Sequence, residues 1–182
     1  MEKQRLRQQT LQAMQTMCVM QRQQWQQSLS EQVLVLCQQN RYRRIACYWG
    51  FAPEFETPHL IKQLQVFGYQ IYLPRILPQR QLAFHLYQGA DELECVQGRI
   101  WQPQKNAPTI SLNELDLIIV PGVVFTMNGH RIGFGGGYYD RILARYTGMT
   151  VSLVFPIQVV DESRWQVEAH DQAVQRILLP VS

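Results

Sequence analysis

The sequence predicts an α/β fold with a largely parallel sheet covered by helices, and two observations carry that reading. Short apolar runs of the kind buried strands use alternate with segments of helical periodicity, and turn residues fall at the joints. Strand, crossover helix, strand is also the order that parallel pairing requires. At 182 residues the chain fits one domain, 1–182, long enough to build a single core without staples.

The first forty residues hold thirteen glutamines, with Leu6, Met14, Met17 and Trp25 at spacings compatible with one helical face, so a long helix is expected there. Ser28-Leu29-Ser30-Glu31 has the spacing of a capping box and predicts the start of a second helix that runs to about Asn40. Arg44 to Trp49 reads as a buried strand, and Thr57-Pro58 as the cap and first turn of the next helix. Leu60, Ile61, Leu64 and Phe67 continue it, and Gly68 supplies the left-handed residue that ends it before a strand from Gln70 to Leu73. Leu82 to Tyr87 is expected as an extra strand, and 97–112 as a long connection. The alternation resumes with strands at Leu115–Val120, Thr150–Phe155 and Arg176–Leu179, and a helix at Tyr138–Tyr146.

Hydrophobic content of 46% against 17% charged residues is globular, and a net charge of +3 suits anionic ligands but falls short of a nucleic-acid footprint. Cys18, Cys37, Cys47 and Cys95 lie far apart, without the paired spacing of zinc or redox sites, and are expected as reduced thiols. The N-terminus lacks a signal-peptide run, and the apolar stretch around Leu115–Phe125 is too short to cross a bilayer. The expectation is a cytoplasmic monomer acting on small molecules, with neither nucleic acid nor membrane as partner.

The chemistry concentrates where the strand Leu115–Val120 ends at Pro121-Gly122, because ligands of open α/β folds bind beyond the carboxyl ends of strands. Five of the nine residues from Gly129 to Gly137 are glycine, and the run Gly135-Gly136-Gly137 opens the helix near Tyr138. Such a loop lets bare amides converge on an anion. No lysine follows the glycines as a Walker loop requires, and the spacing misses the dinucleotide fingerprint. Arg131 upstream and Tyr138-Tyr139-Asp140-Arg141 downstream make a phosphate-handling site a better reading than a surface turn. Asp140 is placed either to pair with Arg141 or to hold magnesium beside phosphates.

Taken whole, Pro121-Gly122-x-x-Phe125-x-x-x-Gly129-x-Arg131-Ile132-Gly133-x-Gly135-Gly136-Gly137-Tyr138-Tyr139-Asp140-Arg141 resembles the signature of the 5-formyltetrahydrofolate cyclo-ligase family. Lys3-x-x-Leu6-Arg7, Tyr48 through Thr57, Leu73-Pro74-Arg75 and Glu168-x-His170-Asp171 extend the resemblance over nearly the whole chain. It implies a three-layer α/β/α sandwich and an ATP- and Mg2+-dependent ligase of one-carbon folate metabolism. That ligase converts 5-formyltetrahydrofolate to 5,10-methenyltetrahydrofolate, releasing ADP and phosphate. By the same resemblance Lys3, Gln4, Arg5, Leu6 and Arg7, with the run Arg131, Ile132, Gly133, Phe134, Gly135, Gly136, Gly137, Tyr138 and Tyr139, contact ATP. Trp49 and Glu54, with Phe134 through Tyr138, contact the folate. Arg131 and Tyr138 are the catalytic candidates, and Asp140 and Asp171 the magnesium ligands. Thr126 stands where the family commonly carries an acid, and Phe134 where it often has a basic or polar residue. The rival reading is a sugar-phosphate isomerase or CoA-transferase-like enzyme on a similar sheet, which would need no ATP. A nucleic-acid- or protein-binding module using the Gln-rich N-terminal helix is a further alternative.

Overall fold

The computed structural model describes residues 2–96, 98 and 100–181. In chain order the elements are α1 (Glu2–Gln15), α2 (Val19–Asn40), β1 (Arg44–Ala46), α3 (Thr57–Val66), β2 (Gln70–Leu77), β3 (Gln81–Leu86), β4 (Leu93–Val96), β5 (Ile100–Pro103), β6 (Thr109–Ile110), β7 (Leu117–Ile119), β8 (Val124–Phe125), β9 (Arg131–Ile132), α4 (Tyr138–Leu143), β10 (Met149–Leu153) and β11 (Arg176–Leu178).

A seven-stranded sheet runs β11-β10-β7-β1-β2-β3-β6. Its five strands from β11 to β2 pair in parallel, and β3 and β6 extend it antiparallel, so the largely parallel sheet is borne out. Side chains alternate between two cores as a strand period of two demands. On one face Ile45, Cys47, Ile71, Leu73, Leu117 and Ile119 pack under Leu29, Val33 and Leu36 of α2 and Leu60, Ile61 and Leu64 of α3. On the other, Ala46, Tyr72, Ile118 and Val120 meet Ile142 of α4 and Tyr146. A third cluster joins Leu6 of α1 to Val123, Val124 and Ile132 of the β8–β9 hairpin and to Trp165.

Several boundaries differ from the sequence reading: β1 ends at Ala46 and not Trp49, β2 runs on past Leu73 to Leu77, and α4 ends at Leu143 and not Tyr146. The break between the first two helices falls at Thr16–Cys18, where the Thr16 hydroxyl donates back to the carbonyls of Gln12 and Ala13, and not at Ser28. Ser28–Glu31 lies inside α2. There Ser30 donates to the Gln26 carbonyl, and the Ser28 hydroxyl accepts from the Val181 amide, so neither serine caps. The stretch expected as a connection contains β5 and β6; its Gln97 and Arg99 lie outside the described residues. Gly68 does take the left-handed conformation (φ +82°) that ends α3.

Thr57 is the first residue of α3 rather than its cap, and its buried hydroxyl has another task. It donates to the Tyr48 carbonyl at 2.6 Å and accepts from the Gly50 amide at 2.8 Å. That closes the base of the loop following β1. Replacing Thr57 by Val is expected to leave both backbone groups unpaired and cost about 2–4 kcal/mol. Thermal unfolding should show this as a midpoint lowered by roughly 5–10 °C; an unchanged midpoint would mean that the loop is held elsewhere.

Candidate functional site

Because β1, β7 and β10 are adjacent and parallel, the segments leaving their carboxyl ends meet at one edge of the sheet. These are the loop 47–56, the stretch 120–137 and the stretch 154–175, and they carry the residues singled out from the sequence. The N-terminal helix supplies the fourth wall.

From α1, Lys3 Nζ lies 2.7 Å from Asp171 Oδ2 and 3.1 Å from Glu168 Oε2, across 168 and 165 residues of sequence. One turn on, Arg7 Nε donates to the Gly133 carbonyl at 2.7 Å. Spacing of four puts both cations on one helical face, while Leu6 turns into the core at 3% exposure. Gln4 and Arg5 are exposed, and Arg5 pairs with Glu2. Of the five N-terminal candidates, the structure thus brings the side chains of Lys3 and Arg7 to the glycine loop and Asp171.

The loop itself requires its glycines. Gly135 (φ +97°) and Gly137 (φ +67°) are left-handed, and a Cβ at Gly136 would come within 2.5 Å of the Tyr138 ring. Phe134, at its crest, is 58% exposed, Tyr138 is half-buried, and Ile132 is core. Arg131 turns inward with 4% of its side chain exposed, donating to the Gln172 carbonyl at 2.5 Å and pairing with Asp140 Oδ1 at 3.1 Å. Asp140 Oδ1 also accepts from the Gln172 amide at 3.2 Å, so its partner is Arg131 and not Arg141. Thr126, buried, donates to Asn128 Oδ1 at 2.5 Å and shapes the turn between β8 and β9.

Burial pushes the Asp171 carboxyl up, but the Glu168 amide and Lys3 outweigh it and hold the group below the usual carboxylate range. Burial lowers the Lys3 ammonium, and its two carboxylate partners more than restore it. Glu168, His170 and Asp171 place one ligand atom each within 4.8 Å of one another. Among the described residues, no hydrogen bond reaches Asp140 Oδ2. Carboxylate oxygens are hard donors of the kind magnesium takes, one or two at a time with water and phosphate completing its shell, and Asp140 Oδ2 is open to that role while Asp171 becomes so once Lys3 turns to another anion.

The other half of the site is the loop after β1. Trp49 packs against Tyr87 with ring centroids 5.3 Å apart and against Phe51 at 6.2 Å. Glu54 has no hydrogen-bond donor on its carboxylate among the described residues, and burial alone pushes it up to about 7. Its charge is felt by the buried Tyr48 and Tyr139 phenols, both raised first by burial. The Tyr139 hydroxyl is buried without a partner among the described residues. Sequence reasoning missed Arg22, which holds this loop by donating to the carbonyls of Pro53 (2.7 Å) and Met14 while its guanidinium lies 5.8 Å above the Phe155 ring. The available signal was a lone cation on a glutamine-rich helix with no acid three or four residues away.

The model of the 5-formyltetrahydrofolate cyclo-ligase family matches residues 1–180. The chain belongs to the 5-formyltetrahydrofolate cyclo-ligase family. It is 33% identical over 161 residues to the 5-formyltetrahydrofolate cyclo-ligase of Haemophilus influenzae, covering 84% of this chain and 86% of that one. Against the Escherichia coli K12 cyclo-ligase it is 32% identical over 142 residues, 75% and 77% of the two chains. The fold matches the NMR structure of Aquifex aeolicus 5,10-methenyltetrahydrofolate synthetase with a TM-score of 0.82 at 24% identity, covering 97% of this chain and 89% of that one. The Mycoplasma pneumoniae synthetase gives 0.77 at 21%, over 98% and 99%. The ligase class and the α/β sandwich expected for a cyclo-ligase therefore stand.

Glu54 makes a pH test possible. Its folded value lies above the ordinary 4.5, so the folded cyclo-ligase binds more protons than the unfolded chain between about pH 4.5 and 7. The contribution of Glu54 is most favourable below that window and is lost as pH rises through it. Glu54→Gln is expected to unfold a few degrees higher than the parent at pH 8, on the order of 1–2 kcal/mol, and level with it near pH 4.5. A constant difference between the two proteins over that range would mean that Glu54 titrates normally.

Proposed function

We infer that this chain converts 5-formyltetrahydrofolate to 5,10-methenyltetrahydrofolate at the expense of ATP, releasing ADP and phosphate. The observation that carries the reading is the convergence of Lys3, Arg7, the glycine loop, Asp140 and Asp171 at one sheet edge, beside a loop carrying Trp49 and the unpaired Glu54. Family membership gives that convergence its substrate.

A formamide is a poor electrophile, and closing the ring onto its carbon means expelling oxygen. The formyl oxygen attacks the γ-phosphorus and ADP departs. N10 then attacks the formyl carbon, loses its proton, and phosphate leaves with the original oxygen. Lys3 and Arg7 exchange their carboxylate and carbonyl partners for phosphate oxygens, and the bare amides from Gly133 to Tyr139 cradle the same group. Tyr138, where the loop opens into α4, faces both substrates and carries catalytic weight. Arg131 acts through Asp140: it fixes the carboxylate in orientation, which makes it a positioning residue. Magnesium, held by Asp140 and Asp171, would supply charge neutralisation along the phosphates. Glu54 accepts from pterin N–H donors, Trp49 lines the folate side, and the exposed Phe134 ring gives it an apolar face. The chain works as a cytoplasmic monomer on small molecules; the four cysteines are free thiols, and among the described residues no helix is long and apolar enough to cross a membrane.

The test is absorbance at the methenyl-folate band after mixing protein, 5-formyltetrahydrofolate and magnesium with or without ATP. An ATP-dependent rise that chelation abolishes is expected; no rise from folded protein would return the isomerase and transferase readings. Asp140→Asn should lower kcat at least a hundredfold, and Lys3→Gln should raise KM for ATP about tenfold with KM for folate unchanged, in line with the loss of one charged phosphate contact. Arg131→Lys keeps the charge but loses the fork that spans Asp140 and Gln172. Its kcat should fall at least tenfold with both KM values near the parent's.

A further inference from the structure

At the opposite edge of the sheet, where β1, β2 and β7 begin, Arg41, Arg43, Arg44, Gly68, Gln70 and Asp116 line a recess of about 440 Å³. The recess is broad and open to solvent, suited to a charged, hydrated ligand more than to an apolar one. Nothing in the cyclo-ligase reaction uses it, since the reacting loops all leave from the carboxyl ends of the strands.

The negative groups nearby are already engaged. Asp116 Oδ2 accepts from the amides of Arg43 and Arg44, each at 2.8 Å, and its Oδ1 lies 3.8 Å from the Arg44 guanidinium, which Glu114 also approaches at 3.8 Å. Arg44 is thereby balanced. Arg41 and Arg43 are exposed, and among the described residues neither side chain takes part in an ion pair. Three of the carbonyls in the last turn of α2, those of Leu36, Cys37 and Gln38, are also covered. The Arg41 amide donates to Cys37 and Gln38, the Tyr42 amide to Cys37, and the Asn40 side chain to Leu36.

The backbone at Arg41 adds a further feature, one it shares with Gln79 and Arg80 at the β2–β3 turn. It sits at φ +56° in the left-handed position after α2, where glycine is favoured and a β-carbon is strained. At the matching place after α3 the chain does use glycine, Gly68. A strained arginine at the rim of a cavity, where the local backbone asks for glycine, points to a task for the guanidinium.

We propose that this recess is a second ligand site, for a small polyanion whose phosphate or carboxylate groups lie between Arg41 and Arg43. Gln70 donates to the same ligand, and Asp116 Oδ1 accepts from a hydroxyl or N–H on it. Paired guanidinium forks bind either anion type bidentately, so phosphate and carboxylate ligands share this chemistry.

The test is calorimetric titration of the full chain with inorganic triphosphate and, separately, with citrate, without magnesium. All proteins carry Lys3→Gln and Arg7→Gln, which removes the two cations that the proposed reaction places on phosphate oxygens and separates the outcome from the folate reading. Saturable 1:1 binding of at least one anion is expected, weakened at least tenfold by Arg41→Gly and by Arg43→Gln. The anion that binds identifies the ligand class. Arg41→Gly also relieves the left-handed strain, so its melting temperature should be at or above the parent's. Absence of binding by both anions, undiminished binding in Arg41→Gly, or an Arg41→Gly protein that melts lower with unchanged anion affinity would each overturn the proposal.

Discussion

The pair between Arg131 and Asp140 holds together three stretches of chain that otherwise share little. Arg131 belongs to the short hairpin strand β9, Asp140 to the first turn of α4, and Gln172, bonded to both, to the segment after β10. Between the first two runs a loop with two left-handed glycines and an exposed phenylalanine, which has almost no packing of its own. Its shape is borrowed from its ends, pinned by Ile132 and Ile142 in separate cores and by the ion pair across them. Breaking a buried pair by removing one partner costs about 3–5 kcal/mol, whereas replacing both with apolar groups is often neutral. Stability alone therefore does not call for charges here. What the pair adds is a carboxylate fixed in orientation beside the glycine loop.

The N-terminal helix completes this arrangement from far away in sequence. Leu6, Thr10 and Met14 bury one stripe of α1, and the intervening glutamines leave its outer face neutral. With Leu11 packed beside it, this stripe seats α1 on the hairpin, and the polar contacts of Lys3 to Asp171 and Arg7 to Gly133 add to that seating. Docking and site formation are one event. A ligand that binds Lys3 and Arg7 therefore stabilises the seating of α1, since it favours only the docked state.

Much of this was legible because it rests on local pattern. The run from Arg44 reads as a buried strand, Gly68 as a helix end, and the alternation of strands and helices as a largely parallel sheet, each from neighbours in sequence. The break at Thr16–Cys18 was not legible, since Met14 and Met17 continue the helical spacing across it and glutamine is at home on either side. Ser28–Glu31 gave a false cap because the signal is local, while Leu29 and Val33 are already committed to the core of a longer helix. The choice of Arg131 over Arg141 as the partner of Asp140 was open for a different reason. It depends on where the β8–β9 hairpin docks against the segment 156–174, which the Val174 amide fixes through the Gly129 carbonyl at 3.0 Å. Glu54 was legible as a loop carboxylate, but its altered titration was not, since its surroundings are assembled from three separate segments.

The two halves of the site differ in how they wait for ligand. Around the glycine loop Lys3 pairs with Asp171 and Glu168, Arg7 with a carbonyl, and Arg131 with Asp140. Binding there is an exchange of partners, and exchange yields only the difference between two sets of contacts. At the loop after β1, among the described residues, Glu54 and the Tyr139 hydroxyl have no hydrogen-bond partner, so the folded protein already bears part of the cost of their desolvation. A ligand that supplies donors to these groups recovers that cost, and its net gain per contact is larger. On the proposed assignment of Glu54 to the folate, discrimination between substrates resides there, because an analogue lacking the matching N–H leaves that carboxylate unpaired while one altered at the phosphates merely shifts an exchange. The rigid Thr57 and Arg22 anchors around residues 48–54 serve the same end, holding those unpaired groups in place until a partner arrives.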